Sequence, residues 1–359
     1  MVNSHYVPQF ILRNFYNDNK ITYCDLEKKT IQPRNSRSVF SEDGYYPENI
    51  EKDLCVKAEH QFANLFHNKI ENARNMLSLT AEELYTIKKY LVVCAIRYKY
   101  ELSEEDKNRI EALGPAFRVD YDKSLNEILA CDKLEDIFKV LGKTEDYLYK
   151  AFQGENSGNA DDLNMPLWSE LKDVLHSYLI FAKARGSEKF IIPDVGRGIY
   201  QGPLGIRKTT GLFDNVMQTG NPQLIQLMQL ITPRDYTIYP LSKDIMIISM
   251  NSFFKLFTDS EFHVNIKMPE DCPTLSAALE FGDRNMITPP KVKMRGTNKE
   301  YKYEIKYLST KDICHFNSLM IGEAERYIAC ADLGEIQNSI NTAFDYTERD
   351  LSFMLLDQT

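Results

Sequence analysis

The chain has 359 residues, of which 43% are hydrophobic and 26% are charged, so it is long enough to bury a sizeable core. Its 21 tyrosines and 19 phenylalanines exclude a disordered chain, and its formal net charge of -9 excludes a general nucleic-acid coat or a polybasic membrane binder, because both need a basic surface. Neither a spanning apolar stretch nor a secretory leader is recognisable, and the seven cysteines contain no CxxC pair. We therefore expect a cytoplasmic protein with reduced thiols and no membrane contact.

The first half of the chain is predicted to be mainly helical after an N-terminal β-hairpin. Short β-favouring runs flank a polar centre over residues 20–32, which is typical of a hairpin. Apolar residues then recur at every third or fourth position and predict a helix over 48–75. Thr80 stands before two glutamates as a capping signal for a second helix that extends to Tyr100. Further helices are predicted over 104–113, 123–141 and 143–152.

The second half is predicted to hold the larger sheet. A loop over 154–164, rich in Gly, Asn, Asp and Ser, precedes a helix that carries the only tryptophan, Trp168. Short apolar or alternating runs predict the strands 189–193, 236–240, 245–250 and 262–266. A second hairpin is predicted over 291–298 and 301–307, and helices over 313–331 and 334–344.

This order of elements predicts an α+β fold with a central mixed or antiparallel sheet and C-terminal helices. We interpret residues 1–359 as a single domain with four regions. These regions are an N-terminal motif and hairpin over 1–47, a helical region over 48–185, a sheet-rich region over 186–310 and a helical C-terminal region over 311–359.

The segment from His5 to Phe15 reads HYVPQFILRNF, and generic packing does not require this run of His, Pro and aromatic residues ahead of an Arg. It resembles the opening signature of a bacterial family known only as domain of unknown function four-two-three-eight. Weaker matches follow in the family's order: Gly44-Tyr45-Tyr46, Ile50-Glu51 with Glu59, Arg97, Ile238 to Ser242, Phe316-Asn317 and Ala324 to Ile328. The family's Ser-Asp-Asn-Pro turn is replaced by Ile192 to Gly196, in which only the acid, Asp194, is kept. The resemblance implies no reaction.

The matching motifs contain polar residues in apolar surroundings, and such groups need partners when they are buried. If they converge in a site, His5, Glu59 and Asp194 would be the catalytic groups. Arg13, Arg97, Asn317 and Arg326 would then hold an anionic substrate such as a phosphate. If they are structural, the same residues form a buried hydrogen-bond network that fixes the N-terminal segment to the helices. Both interpretations stay open.

Three weaker patterns bear on metals and nucleic acids. His60 and His67 are seven residues apart on one predicted helix and more often lie on a polar face than bind a metal. Asp194 with Glu304-Ile-Lys306 is similar to the carboxylates and lysine of Mg²⁺-dependent nucleases, but their separation is unusually long. The second hairpin has an excess of basic residues, which is more often the solvated face of a half-buried hairpin than an edge that contacts nucleic acid. For such a contact, the candidate residues are Lys293, Arg295, Lys302 and Lys306.

These patterns support two hypotheses about function. The first is a defence-type or toxin-type effector that acts on nucleic acid or a nucleotide by nuclease-like hydrolysis, with no metal site assigned. The alternative is a non-enzymatic protein that binds a partner or acts as a scaffold, in which the polar motif residues form a buried structural network.

Overall fold

The computed structural model describes residues 3–101, 103–152, 163–200, 236–250, 300–344 and 347–356. The described residues form an α+β fold, as the sequence predicted. The strands are β1 Asn3–His5, β2 Ile21–Asp25, β3 Thr30–Arg34, β4 Ser41–Asp43, β5 Met76–Thr80, β6 Tyr178–Ala184, β7 Ile192–Pro193, β8 Gly198–Tyr200, β9 Tyr236–Ser242, β10 Ile245–Met250, β11 Glu300–Leu308 and β12 Tyr327–Cys330. The α-helices are α1 Gln9–Arg13, α2 Glu48–Leu54, α3 His60–Leu65, α4 Ala81–Arg97, α5 Glu104–Leu113, α6 Tyr121–Leu129, α7 Leu134–Phe152, α8 Met165–His176, α9 Thr310–Glu323 and α10 Gln337–Ala343.

The described strands form three sheets. The largest has the order β5-β11-β6-β10-β9-β8, with one parallel pair, β11 and β6, among antiparallel pairs. Every residue of β9 and β10 is buried, because both faces of these central strands are covered. A second sheet has the order β3-β2-β12-β7, and β1 pairs with β4. The central sheet is therefore mixed, and strands from both halves of the chain contribute to it.

Helix α4 forms the centre of the helical half. Thr80 and Glu83 form a reciprocal capping box at its start, as the sequence predicted. The helix packs against α3, α6 and α8. Near its C-terminal end it approaches β1, because the last residue, Arg97, bonds the main chain of His5. This contact joins the N-terminal segment to the helical half.

Several sequence predictions need correction. The helix predicted over 48–75 continues to Ile70 through two π-helical turns, Cys55–Glu59 and Phe66–Ile70. The helices predicted over 123–141 and 143–152 are instead α6 and α7, with the break at residues 130–133. The strand predicted over 189–193 is reduced to Ile192–Pro193.

The helix predicted over 313–331 is α9, which is shorter at its C-terminal end than the sequence predicted. It ends at Glu323, and the segment that was predicted to continue it to residue 331 contains the strand β12, which lies between β2 and β7. Pairing with two distant strands satisfies its backbone groups and overrides the local helical pattern. The sequence prediction also missed β1, β4, β5, β6 and β8. The predictions over 262–266 and 291–298, and most of the loop 154–164, fall outside the described residues.

Candidate functional site

Arg97 is the centre of a buried network that we call the anchor, formed by His5, Glu51, Glu59 and Arg97. The guanidinium of Arg97 is buried, and its Nε donates to the main-chain oxygen of His5 at 2.6 Å. One terminal nitrogen pairs with the Glu59 carboxylate and the other lies 4.0 Å from the Glu51 carboxylate. The main-chain oxygen of Arg97 accepts the hydroxyl of Tyr46. The anchor therefore connects β1, the helix that starts at Glu48, and the end of α4.

The π-helical turn explains how both glutamates reach Arg97. Glu51 and Glu59 are eight residues apart, and in a regular α-helix that spacing rotates the second side chain about 80° away from the first. The turn Cys55–Glu59 holds one extra residue, which takes up most of this rotation. Both carboxylates consequently face the same guanidinium.

Burial and the neighbouring charges shift the pKa values of the anchor residues. Burial raises the pKa of Glu51, while Arg97 opposes that rise. Burial disfavours the charge of Arg97, but Glu59, Tyr46 and Glu51 outweigh it and raise the pKa of the guanidinium. Burial also lowers the pKa of His5, whose Nε2 lies 3.2 Å from the main-chain oxygen of Ser36. Only 3% of the His5 surface is exposed.

Asp194 holds a turn through its carboxylate. Its carboxylate is buried and accepts hydrogen bonds from four main-chain N–H groups: those of Val195 at 3.0 Å, Glu325 at 2.9 Å, Arg326 at 2.8 Å and Tyr327 at 2.9 Å. Burial raises its pKa, and these four bonds oppose the rise. Asp194 therefore fixes the turn that leads into β12, and it lies apart from the anchor.

Two further signature residues also bind the protein's own groups. Arg326 forms a two-point contact with Asp25, with distances of 3.2 Å and 2.9 Å, and so connects the start of β12 to the N-terminal hairpin. Its positive charge contributes to the lowered pKa of Asp25, although burial alone would raise it. Asn317 is fully buried and bonds the main chain of Lys189 at 2.7 Å and of Ile191 at 3.2 Å.

The remaining predicted residues do not join these networks. Arg13 is exposed and contacts only Gln9 among the described residues, at 3.2 Å, so it has no anionic partner. On β11 the outward-facing residues include Lys302 with Glu300 and Glu304, and the charges of this strand are mixed. Lys306 is half-buried on the same strand. Lys293 and Arg295 lie outside the described residues.

No metal site is formed where the structure describes the chain. His60 and His67 are exposed, as predicted, and His67 pairs with Glu71 at 3.0 Å. Within the ranges described above, no group of three or more His, Cys, Asp or Glu side chains has an arrangement that could hold a metal ion. In the same ranges no helix is long and apolar enough to cross a membrane.

The sequence prediction missed a second buried ion pair. Arg197 and Glu170 are both buried, with 3.3 Å between Nη1 and Oε2. Glu170 raises the pKa of Arg197 against the effect of burial. Arg197 stands between two glycines, and nothing local to that run indicates its distant partner.

The largest feature that the sequence prediction missed is a row of aromatic rings, which we call the tyrosine band. It consists of Tyr6, Tyr23, Phe40, Tyr45, Tyr98 and Tyr327. Tyr6 contacts Phe40, Tyr45 and Tyr98 with ring centroids 6.2, 5.3 and 5.4 Å apart. Phe40 contacts Tyr23 at 5.8 Å, and Tyr23 stacks on Tyr327 at 4.9 Å. The high tyrosine content was visible in the sequence, but members separated by hundreds of residues could not be grouped.

The band lies at the surface around a strained position. Phe40 has a φ of 52°, an unusual value for a bulky residue, and its oxygen accepts the N–H of Tyr6 at 3.1 Å. Tyr6, Tyr45, Tyr98 and Tyr327 are half-buried, whereas Phe40 is buried beneath them. The band therefore combines two buried rings, Phe40 and Tyr23, with four half-buried tyrosines.

Comparison with known proteins gives a family and no named relative. A family model described as "Protein of unknown function (DUF4238)" matches residues 3–332, which is most of the chain. No curated protein matches the chain, and no solved structure matches it.

Proposed function

The chain belongs to the DUF4238 family, and we propose that this member is a non-enzymatic binding protein whose signature residues build the fold. The observation that carries the proposal is that the buried polar side chains of the signature form hydrogen bonds within the protein. Arg97, Asp194 and Asn317 each direct their polar atoms at main-chain groups of another element. Bonds of this kind, made within the protein to fixed main-chain groups, are what is expected of buried polar groups that hold elements together.

The crevice next to the signature supports the same proposal. It is lined by apolar and aromatic residues that include Val7, Pro8, Tyr90 and Tyr239. None of the three predicted catalytic residues, His5, Glu59 and Asp194, lines it. This crevice provides packing surface, and its lining contains no carboxylate and no His, Lys or Arg side chain.

The nuclease-like effector stays a prediction from the sequence. The mixed charges of β11 do not favour contact with nucleic acid, and two of the four basic residues behind that hypothesis lie outside the described ranges.

We also propose that the protein is cytoplasmic, a location that agrees with the free thiols of the described cysteines.

The proposal is tested by asking whether signature variants lose activity or stability. The purified protein and its His5→Gln and Asp194→Asn variants are incubated with single-stranded RNA, single-stranded DNA and nucleoside triphosphates in the presence of Mg²⁺ or Mn²⁺, and their thermal melting is recorded. We expect no turnover by the unmodified protein and a lowered melting temperature for both variants. Turnover that disappears in a variant that melts like the unmodified protein would refute the proposal.

A further inference from the structure

The tyrosine band already binds cations that belong to the chain itself. The guanidinium of Arg34 lies 4.3 Å from the ring centre of Tyr23, and that of Arg326 lies 4.8 Å from the ring centre of Tyr327. The Lys99 ammonium lies 5.1 Å from the ring centre of Tyr45. The negative face of an aromatic ring attracts positive charge, and these distances are within the range of that attraction. The two ends of the band are therefore occupied by internal cations.

The centre of the band differs from its ends. Tyr6 and Tyr98 pack edge-to-face, with an angle of 82° between their rings, and no cation of the described residues lies over either ring. Their hydroxyl groups form no hydrogen bond with any residue in the described ranges, and both side chains are half-buried. Among the described residues, the centre thus offers two aromatic rings that carry no cation and two hydroxyl groups that form no hydrogen bond.

Two glutamates, Glu42 and Glu325, belong to segments that are joined to this centre. Glu42 lies on β4, which pairs with the strand that leads into Tyr6, and Glu325 forms part of the turn fixed by Asp194. Both glutamates are exposed, and neither forms an ion pair within the ranges that the structure describes. After burial, Asp194 and Glu42 contribute to the raised pKa of Tyr6, and Asp194 and Glu325 do the same for Tyr98. The negative charge of these carboxylates therefore reaches both rings.

We infer that the centre of the tyrosine band, formed by Tyr6, Tyr98, Glu42 and Glu325, binds an arginine or lysine side chain of a basic segment in a partner protein. This inference rests on the proposed function as a binding protein and names the chemistry of the partner. An electron-rich ring beside carboxylates without a cation matches a guanidinium or ammonium group in charge and in shape. Tyrosine is also enriched in protein interfaces, because its rigid ring provides contact area at a low cost in conformational entropy.

Charge also decides between a basic and an acidic ligand. The phosphates of a nucleic acid placed at the centre would be repelled by Glu42, Glu325 and the buried Asp194. The protein as a whole also carries a formal net charge of -9. Two of the three cations on the band are already paired with carboxylates, Arg326 with Asp25 at 2.9 Å and Lys99 with Asp122 at 3.0 Å. A basic ligand would be attracted where an anionic one would be repelled.

The test uses a fluorescein-labelled peptide of alternating arginine and glycine, with binding followed by fluorescence anisotropy at physiological salt. The reference probe is the same peptide with citrulline in place of arginine, which keeps the shape and removes the charge. We expect the arginine peptide to bind and the citrulline peptide to bind at least tenfold more weakly, since the attraction to the ring and the carboxylates depends on the charge.

Protein variants place the binding at the band. Tyr98→Leu removes one ring, and the double variant Glu42→Gln with Glu325→Gln removes two exposed charges without touching the core. We expect each to weaken binding of the arginine peptide roughly tenfold. The matched controls are Tyr307→Leu and Glu304→Gln, which change an exposed tyrosine and an exposed glutamate on β11 and should leave binding unchanged.

Three results would overturn the inference: no binding of the arginine peptide, equal binding of the citrulline peptide, or unchanged binding by the double variant. A single-stranded RNA that binds and loses affinity in Tyr98→Leu would assign the band to nucleic acid and would overturn it as well. These failures are separate from failure of the proposed function, which depends on turnover rather than on peptide binding.

Discussion

The anchor and the tyrosine band begin at neighbouring residues, His5 and Tyr6, and they use polar groups in opposite ways. In the anchor, the Arg97 guanidinium has partners on β1 and on the helix that follows Glu48. In the band, the hydroxyl groups of Tyr6 and Tyr98 have none among the described residues. Successive side chains at the end of β1 point in opposite directions, so His5 lies in the core and Tyr6 is only half-buried.

This difference shows why a sequence signature can combine two kinds of constraint. His5 is buried: its main-chain oxygen binds the Arg97 guanidinium, and its ring Nε2 lies 3.2 Å from the main-chain oxygen of Ser36. Tyr6 is half-buried at the centre of a chain of ring contacts, and its hydroxyl forms no hydrogen bond with any described residue. We therefore expect changes in the anchor to lower stability and changes in the band to alter binding.

The largest effect is expected for Arg97→Met. The change leaves the carboxylates of Glu51 and Glu59 without their cation, and losing one partner of a buried ion pair costs about 3 to 5 kcal/mol. Chemical denaturation measures the free energy of unfolding. Arg13→Met is the control, since Arg13 is exposed and should change stability by less than about 0.5 kcal/mol. A loss below about 1 kcal/mol in Arg97→Met would remove the distinction between anchor and surface.

A second prediction concerns pH and His315, a buried residue of α9 whose Nε2 lies 3.1 Å from the hydroxyl of Tyr236. Burial lowers its pKa from the ordinary 6.5 to about 4. The unfolded chain therefore binds a proton more readily than the folded one, and the contribution to stability is full above pH 6.5 and is lost as the pH falls toward 4. At pH 4 the free energy of unfolding should be lower by about 3 kcal/mol as a result of this one group.

The measurement compares thermal or denaturant unfolding of the unmodified protein and of His315→Gln at several pH values between 6.5 and 4. Because Glu51 and Asp194 have raised pKa values and act in the opposite direction, the difference between the two proteins isolates His315. We expect that difference to shrink as the pH falls. His67→Gln, at an exposed histidine, should leave the pH dependence unchanged. A pH-independent difference would contradict the prediction.

The smallest expected change in stability comes from removing one tyrosine hydroxyl, either the one that bonds the anchor residue Arg97 or one in the tyrosine band. Because the same atom is removed in each case, the two variants can be compared directly. The hydroxyl of Tyr46 donates to the main-chain oxygen of Arg97, so Tyr46→Phe should cost about 1 to 2 kcal/mol. The hydroxyl of Tyr98 has no partner in the described ranges, so Tyr98→Phe should change the free energy of unfolding by less than about 0.5 kcal/mol. Equal losses, measured by chemical denaturation, would show that the Tyr98 hydroxyl is also used inside the fold.

Local patterns predicted the elements whose signals lie within a few residues. The capping box at Thr80 and the N-terminal hairpin were predicted correctly because each depends on neighbours in the chain. The end of α9 was predicted wrongly, since β12 obtains its hydrogen bonds from strands hundreds of residues away. The π-helical turn at Cys55–Glu59 left no recognisable signal, although it decides which way Glu59 points.

The sequence by itself determined the α+β class, the family and the set of polar residues that need partners. It could not decide whether those residues converge, because His5, Asp194 and Arg326 obtain their partners from distant elements and burial is a property of the assembled structure. The tertiary structure assigned them to separate networks that connect strands, helices and turns. It also brought Tyr6, Tyr98 and Tyr327 together at one surface, where chain distance gives no indication of contact.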